Sequence, residues 1–116
     1  MLKIVRNKLL TGSIKRVVVF GSEMPKSAPY VVIKPEALPF GTGLRIIVHY
    51  PRNYQTQLRS YIFDEVSDLL NGFVYTDESG TSNEVLDGEE YGDIVAVNDD
   101  NTISMERLFY VPSMLY

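Results

Sequence analysis

The chain has no cysteine, no tryptophan and a single histidine, His49. Without Cys there is no disulfide framework, no thiol nucleophile and no thiolate zinc site. That is compatible with a reducing compartment. No G-x-S-x-G or other nucleophile motif occurs, and the glycine spacing matches neither the phosphate loop nor the dinucleotide fingerprint. Long apolar runs are also missing. The stretch Val17-Val18-Val19-Phe20 is too short for a signal peptide and far too short to span a membrane, so a soluble protein is expected.

Each half of the chain also has little charge of one sign. Up to Arg59 there are ten Lys or Arg and two acids, Glu23 and Glu36. From Ser60 onward there are thirteen acids and one base, Arg107. The halves carry +8 and −12 within an overall charge of −4. If the fold places them on different faces, the protein is a dipole. One copy's basic face then attracts the next copy's acidic face, which builds a ring or a filament. The plainer alternative is two solvated surfaces. The negative total argues against a generic nucleic-acid binder, although a basic patch in the first half stays open.

With 116 residues, 45% of them hydrophobic, one core and one domain are expected. Eight Tyr and five Phe are many for this length, and some are expected at an interface. Leu2, Val5, Leu9 and Leu10 share one helical face, and Thr11-Gly12 ends that helix. Ile14 to Phe20 reads as a strand and Gly21 to Pro29 as a loop. Tyr30–Lys34 and Leu44–Tyr50 read as strands stopped by Pro35 and Pro51, with a loop or wide hairpin over 35–43. Leu44, Ile46, Val48 and Tyr50 make one face of the second strand wholly apolar, which fits a sheet covered on one side.

Asn53 reads as the N-cap of a long helix and Asn71-Gly72 as its end. Its apolar stripe is Tyr54, Leu58, Tyr61, Ile62, Val66, Leu69 and Leu70, with Gln55, Arg59, Asp64, Ser67 and Asp68 opposite. Phe73 to Tyr75 is a possible short strand. Residues 76–92 form an acidic, glycine-rich loop or hairpin arm. Asp93 to Val97 reads as a strand or turn, Asn98 to Asn101 as a turn, and Ile103 to Val111 as a final strand. The whole, residues 1–116, is expected to be a single α+β domain. The expected architecture is an antiparallel sheet with one long amphipathic helix packed on one face, plus a short N-terminal helix.

The chemistry-bearing residues point away from catalysis, and no catalytic residue, metal ligand or cofactor is assigned. His49 lies mid-strand beside Arg45 without a nucleophile or orienting partner in sequence, so it reads as a surface or interface residue. Phe20-Gly21-Ser22 looks like the start of a nucleotidyltransferase loop but lacks the carboxylate pair that would hold magnesium. The acidic stretches lack the calcium-loop spacing. Lys3, Arg6, Lys8, Lys15 and Arg16 form a basic cluster without interleaved rings for base stacking. Phosphate or an acidic protein surface would both fit it.

Three stretches carry a resemblance: Ala28–Lys34, the passage Arg45–Pro51 running into Gln57–Ile62, and Ser104–Val111. In element order and local texture they resemble the tail terminators and tail-completion neck proteins of long-tailed bacteriophages. The acidic stretch 76–92 departs from that pattern. The resemblance implies a virion protein assembled in the host cytoplasm, with no catalysis. It implies a homohexameric ring that caps the head-proximal end of the tail tube. Its partners would be the tube protein and the head-side connector, with DNA passing through the lumen unbound. Candidates for the joining basic face are Lys3, Arg6, Lys15, Arg16, Arg45, Arg52 and Arg59. Candidates for an acidic lumen or partner surface are Asp77, Glu78, Glu89 and Glu90. A head-completion adaptor on the portal and a monomeric binding module remain the alternatives.

Overall fold

The computed structural model describes residues 1–112. The elements are α1 (Leu2–Leu9), β1 (Val17–Val19), β2 (Tyr30–Leu38), β3 (Gly41–Pro51), α2 (Thr56–Leu70), β4 (Val74–Thr76), β5 (Ser82–Glu84) and β6 (Leu86–Asp87), then a 3-10 turn (Glu89–Tyr91), β7 (Ile94–Val97) and β8 (Thr102–Pro112). Six strands make one sheet in the order β1-β2-β3-β8-β6, with β7 also on β8. β4 and β5 form a separate hairpin.

The long strands form because their residues alternate. Leu44, Ile46, Val48 and Tyr50 are fully buried, as the sequence pattern implies, and they meet Val31, Ile33 and Phe109 on the same face. α1 covers this face with Val5 and Leu9, and α2 with Phe63, Val66 and Leu70. Burying these side chains is the main favourable term in folding.

The expected antiparallel sheet under one long helix is corrected here. The sheet is mixed, because β1 runs parallel to β2 in the register Val17↔Val31 to Val19↔Ile33. Two helices, not one, share the cover. Alternation tells which residues are buried but not which way neighbouring strands run. The direction follows from the 20–29 connection, which returns the chain to the starting end of β1 before β2 begins.

The loop expected over 35–43 is also absent. β2 continues through Pro35 to Leu38, and β3 starts at Gly41, so Pro39 and Phe40 alone make the turn. Pro35 is tolerated because Val31 N–H and Ile33 C=O face β1, and Pro35 shares their side. β1 ends at Val19, so no ladder bond is lost where proline lacks its N–H.

α2 starts two residues later than the Asn53 cap implies. Gln55 is the N-cap and makes no side-chain cap bond, while Tyr54 N–H closes a turn onto Pro51 C=O. The end at Asn71-Gly72 is as expected, with Gly72 at φ +77°. The buried stripe is rotated from the expected one. Phe63 and Ser67 are buried, whereas Leu58 is 44% and Tyr61 73% exposed. Phe63, Val66 and Leu70 enter the core on this side, and Arg107 of β8 lies beneath it, 4.9 Å from the Phe63 ring centroid and 3.3 Å from Ser67 Oγ.

Phe63→Ala and Leu70→Ala are each expected to cost roughly 2–5 kcal/mol in urea denaturation. Leu58→Ala should stay within about 0.5 kcal/mol of the parent. A large loss at Leu58 would mean that the helix docks in the other rotation.

Candidate functional site

The acidic second half is ordered by two separate devices. The first is the β4–β5 hairpin, the arm that is one of the two readings of residues 76–92; β6 and the 3-10 turn take up the rest of that stretch. At its tip the Asp77 carboxylate accepts hydrogen bonds from Ser79 N–H (2.9 Å), Ser79 Oγ (2.6 Å), Thr81 N–H (3.0 Å) and Asn83 Nδ2 (3.0 Å). Such a turn is local side-chain-to-backbone chemistry. The Ser79 and Asn83 side-chain bonds chiefly hold the Asp77 pKa at about 2, below the ordinary 3.8. Asp77 is therefore committed to its own turn, while Glu78, Glu89 and Glu90 are exposed.

The second device is Arg107. It is the lone base after residue 59, and its side chain is largely buried on the helix face of β8. Its Nε and Nη2 donate to the two oxygens of Asp93 at 2.8 Å each. Its Nη1 donates to Asp87 Oδ2 at 3.0 Å and approaches Ser67 Oγ at 3.3 Å. Ser67 Oγ donates to the same Asp87 oxygen at 2.7 Å, and Asp87 N–H donates to Asn71 Oδ1 at 3.2 Å. The guanidinium also sits 4.9 Å over the Phe63 ring. The Asp93 bond chiefly raises the Arg107 pKa, so the group stays charged. The sequence reading missed this cluster. The available signal was Arg107 alternating with Met105 and Phe109 on an otherwise apolar strand face.

The seven basic candidates do not form one face. Lys3, Arg6, Lys15 and Arg16 gather around α1 and β1. Arg6 Nε donates to Val17 C=O (2.8 Å), Lys15 Nζ to Gly12 C=O (2.6 Å), and Arg16 to Ser27 Oγ (2.6 Å). Arg45 is on the opposite sheet face, paired with Glu36 at 2.9 Å and Glu106 at 3.8 Å. Arg52 reaches Asn101 Oδ1 at 3.3 Å, and half-buried Arg59 donates to Thr56 Oγ1 at 3.0 Å. These last three are tied to internal partners away from the α1 group.

The two ends of the sheet differ. At the β1 end, Val17 C=O is taken by Arg6, and Val19 C=O accepts Ser22 N–H at 3.0 Å. At the other end, β6 and β7 lie end to end along β8, from Leu86↔Tyr110 to Val97↔Ile103. Their far side carries no strand among the described residues. Ile94, Val95 and Val97 are 51%, 60% and 62% exposed. An open edge with three exposed aliphatic side chains is unusual unless something covers it.

His49 stacks on Tyr30, with ring centroids 4.5 Å apart, and burial lowers its pKa. Its Nδ1 is buried and has no hydrogen-bond partner among the described residues. No group of three or more His, Cys, Asp or Glu among the described residues is placed to hold a metal. No described helix is long and apolar enough to cross a membrane. No protein-family model matches the chain, and no curated protein matches it.

Arg107→Ala should cost about 3 kcal/mol, because it leaves Asp87 and Asp93 without their partner at a largely buried position. Urea denaturation reads this, and a neutral result would make the cluster incidental. The Asp77 carboxyl, followed by carbon NMR, should titrate near 2. A depressed carboxylate pKa contributes order that is complete above 3.8 and lost as pH falls through about 2. The hairpin tip should therefore keep its amide shifts at pH 4. A tip that loosens there would contradict the bonding described.

Proposed function

We propose that this protein is a ring-forming structural subunit of a bacteriophage neck, acting as a tail terminator. The observation that carries the reading is charge polarity across the sheet. The chain's basic part supplies the β1 edge, with Arg6, Lys15 and Arg16 beside it. Its acidic part supplies the β6–β7 edge, with Glu89, Glu90 and Asp99 beside it. The edges are four strand spacings apart, about 20 Å. A subunit with unlike ends favours a heterologous, head-to-tail contact, which closes into a ring when the rotation allows.

The exposed aliphatic β7 edge supports the same reading, since assembly would cover it. Asp77 serves its own turn, so the acids open to a lumen or partner are Glu78, Glu89 and Glu90. Carboxylates along a channel wall repel DNA phosphates, so the genome would pass without sticking. The tail tube and the head-side connector are the partners on this reading, and no catalytic step belongs to it.

The test is mass by light scattering, with negative-stain microscopy, on the chain alone and mixed with tail tubes. Sixfold rings on tube ends are the expected result. Twelvefold rings that bind portals would instead assign a head-side adaptor. A monomer that ignores tubes at low and high salt would leave a binding module as the better account.

A further inference from the structure

We infer that the β7 edge is a strand-addition site for an extended segment of a partner protein, apolar in its middle and carrying Lys or Arg at both ends. The inference goes beyond the ring-subunit reading and does not depend on it.

The two ends of the sheet are not equally open. Val17 on β1 is 1% exposed, with its C=O held by Arg6, and Val19 C=O accepts Ser22 N–H. The β1 edge is therefore closed. On β7, Asn98 N–H donates to Thr102 C=O at 2.9 Å, which fixes the phase of the ladder. Antiparallel bonds alternate, so Ile94 and Ala96 bond to β8, and Val95 and Val97 aim their N–H and C=O groups away from it. No turn or side chain among the described residues takes those groups. An added strand gains main-chain hydrogen bonds there.

Side chains set the middle of the segment. Val95 and Val97 share one face of the edge and Ile94 lies on the other, and all three are more than half exposed. β7 has only four residues, so an occupant meets aliphatic groups over about 13 Å. So short a contact buries far less than the roughly 1,200 Å² of a stable interface between folded proteins, which suits an extended segment.

Charge sets the ends. Glu89 and Glu90 are exposed on the turn that leads into β7, and Asp99 is exposed just past its end. None of these three carboxylates forms an ion pair among the described residues. Arg107 is taken by Asp87 and Asp93, and Arg52 reaches the β7–β8 turn at Asn101, a neutral partner. Cations at the two ends of an added segment would meet carboxylates that this chain leaves unpaired. A second β7 is a poorer occupant. Paired antiparallel, it brings Asp99 of each copy to the end where the other copy's Glu89 and Glu90 lie, and gathers like charge at both ends.

The probe is a fluorescein-labelled synthetic peptide with a Val-Thr-Val core and Lys-Arg at each end, read by anisotropy and by protein amide shifts in NMR. The shifts should centre on Val95 and Val97. Binding should be about tenfold tighter than by the same core with Asp-Glu ends, and the excess should shrink in high salt. Glu89→Gln, Glu90→Gln and Asp99→Asn together should remove most of that excess. Val95→Pro should abolish binding with Tm unchanged, because proline there removes an outward donor and no ladder bond. The basic peptide N-methylated throughout its core keeps its charge and should also fail to bind, which keeps the test decisive if the proline variant does not fold. Equal binding by the N-methylated peptide would reduce the contact to charge attraction and overturn the proposal. Equal binding by the acid-ended peptide, or no binding at all, would overturn it too. Self-association of the chain that Val95→Pro dissolves would overturn it in favour of a second copy.

Discussion

Much of the acidic half is organised around the Arg107 guanidinium. Its five donors reach Asp93 twice, Asp87 once and the Ser67 hydroxyl, and its flat face lies on Phe63. Those groups come from α2, from β6 and from the segment entering β7. Asp87 also joins the end of α2 through Asn71. One side chain on β8 therefore ties the helix, β6 and the start of β7 together. A lysine would present one point charge, not this fork, and would not reach the same set of partners.

This hub bears on the charge asymmetry as well. Arg107 neutralises part of the acidic half internally, at Asp87 and Asp93. The carboxylates left exposed are those of α2 (Asp64, Asp68), the hairpin (Glu78, Glu84), the 3-10 turn (Glu89, Glu90) and the β7–β8 turn (Asp99, Asp100). Similarly, Arg45 is occupied by Glu36 and Glu106, while Arg6 and Lys15 cap backbone carbonyls. What remains is uneven: Lys15 and Arg16 lie at the β1 end and Glu89, Glu90 and Asp99 at the β6–β7 end, while Asp64 and Asp68 stay exposed on α2. That outcome depends on topology: β1 from the basic part and β6–β7 from the acidic part occupy opposite ends of the strand order.

The two edges are finished differently, and this difference matters more than their sequences suggest. Val17–Val19 and Ile94–Val97 are both short aliphatic strands. One has its outward carbonyls taken by an arginine and a turn amide, while the other is bare. Natural sheets protect edges in the first way, and an unprotected edge invites pairing.

Local patterns were legible in the sequence wherever a periodic apolar face decides burial. The inward row Leu44, Ile46, Val48 and Tyr50, the α1 face of Val5 and Leu9, and the Asn71-Gly72 helix stop all follow from neighbouring residues alone. The hairpin tip is likewise local, built on Asp77 within six residues. Strand direction, the rotation of α2 and the passage of β2 through Pro35 were not legible. Each depends on a partner far along the chain: the β1 register on β2, Arg107 beneath Phe63, and the end of β1 beside Pro35. The basic and acidic halves could be counted from the sequence, but that β1 from one and β6–β7 from the other end the sheet required the strand order. Sequence by itself determined which residues are apolar, turn-forming or charged, because those are properties of single residues and their near neighbours. Only the tertiary structure decided which charges are consumed inside and which edge stays open, because those depend on contacts between segments that adopt no fixed distance until the chain has folded.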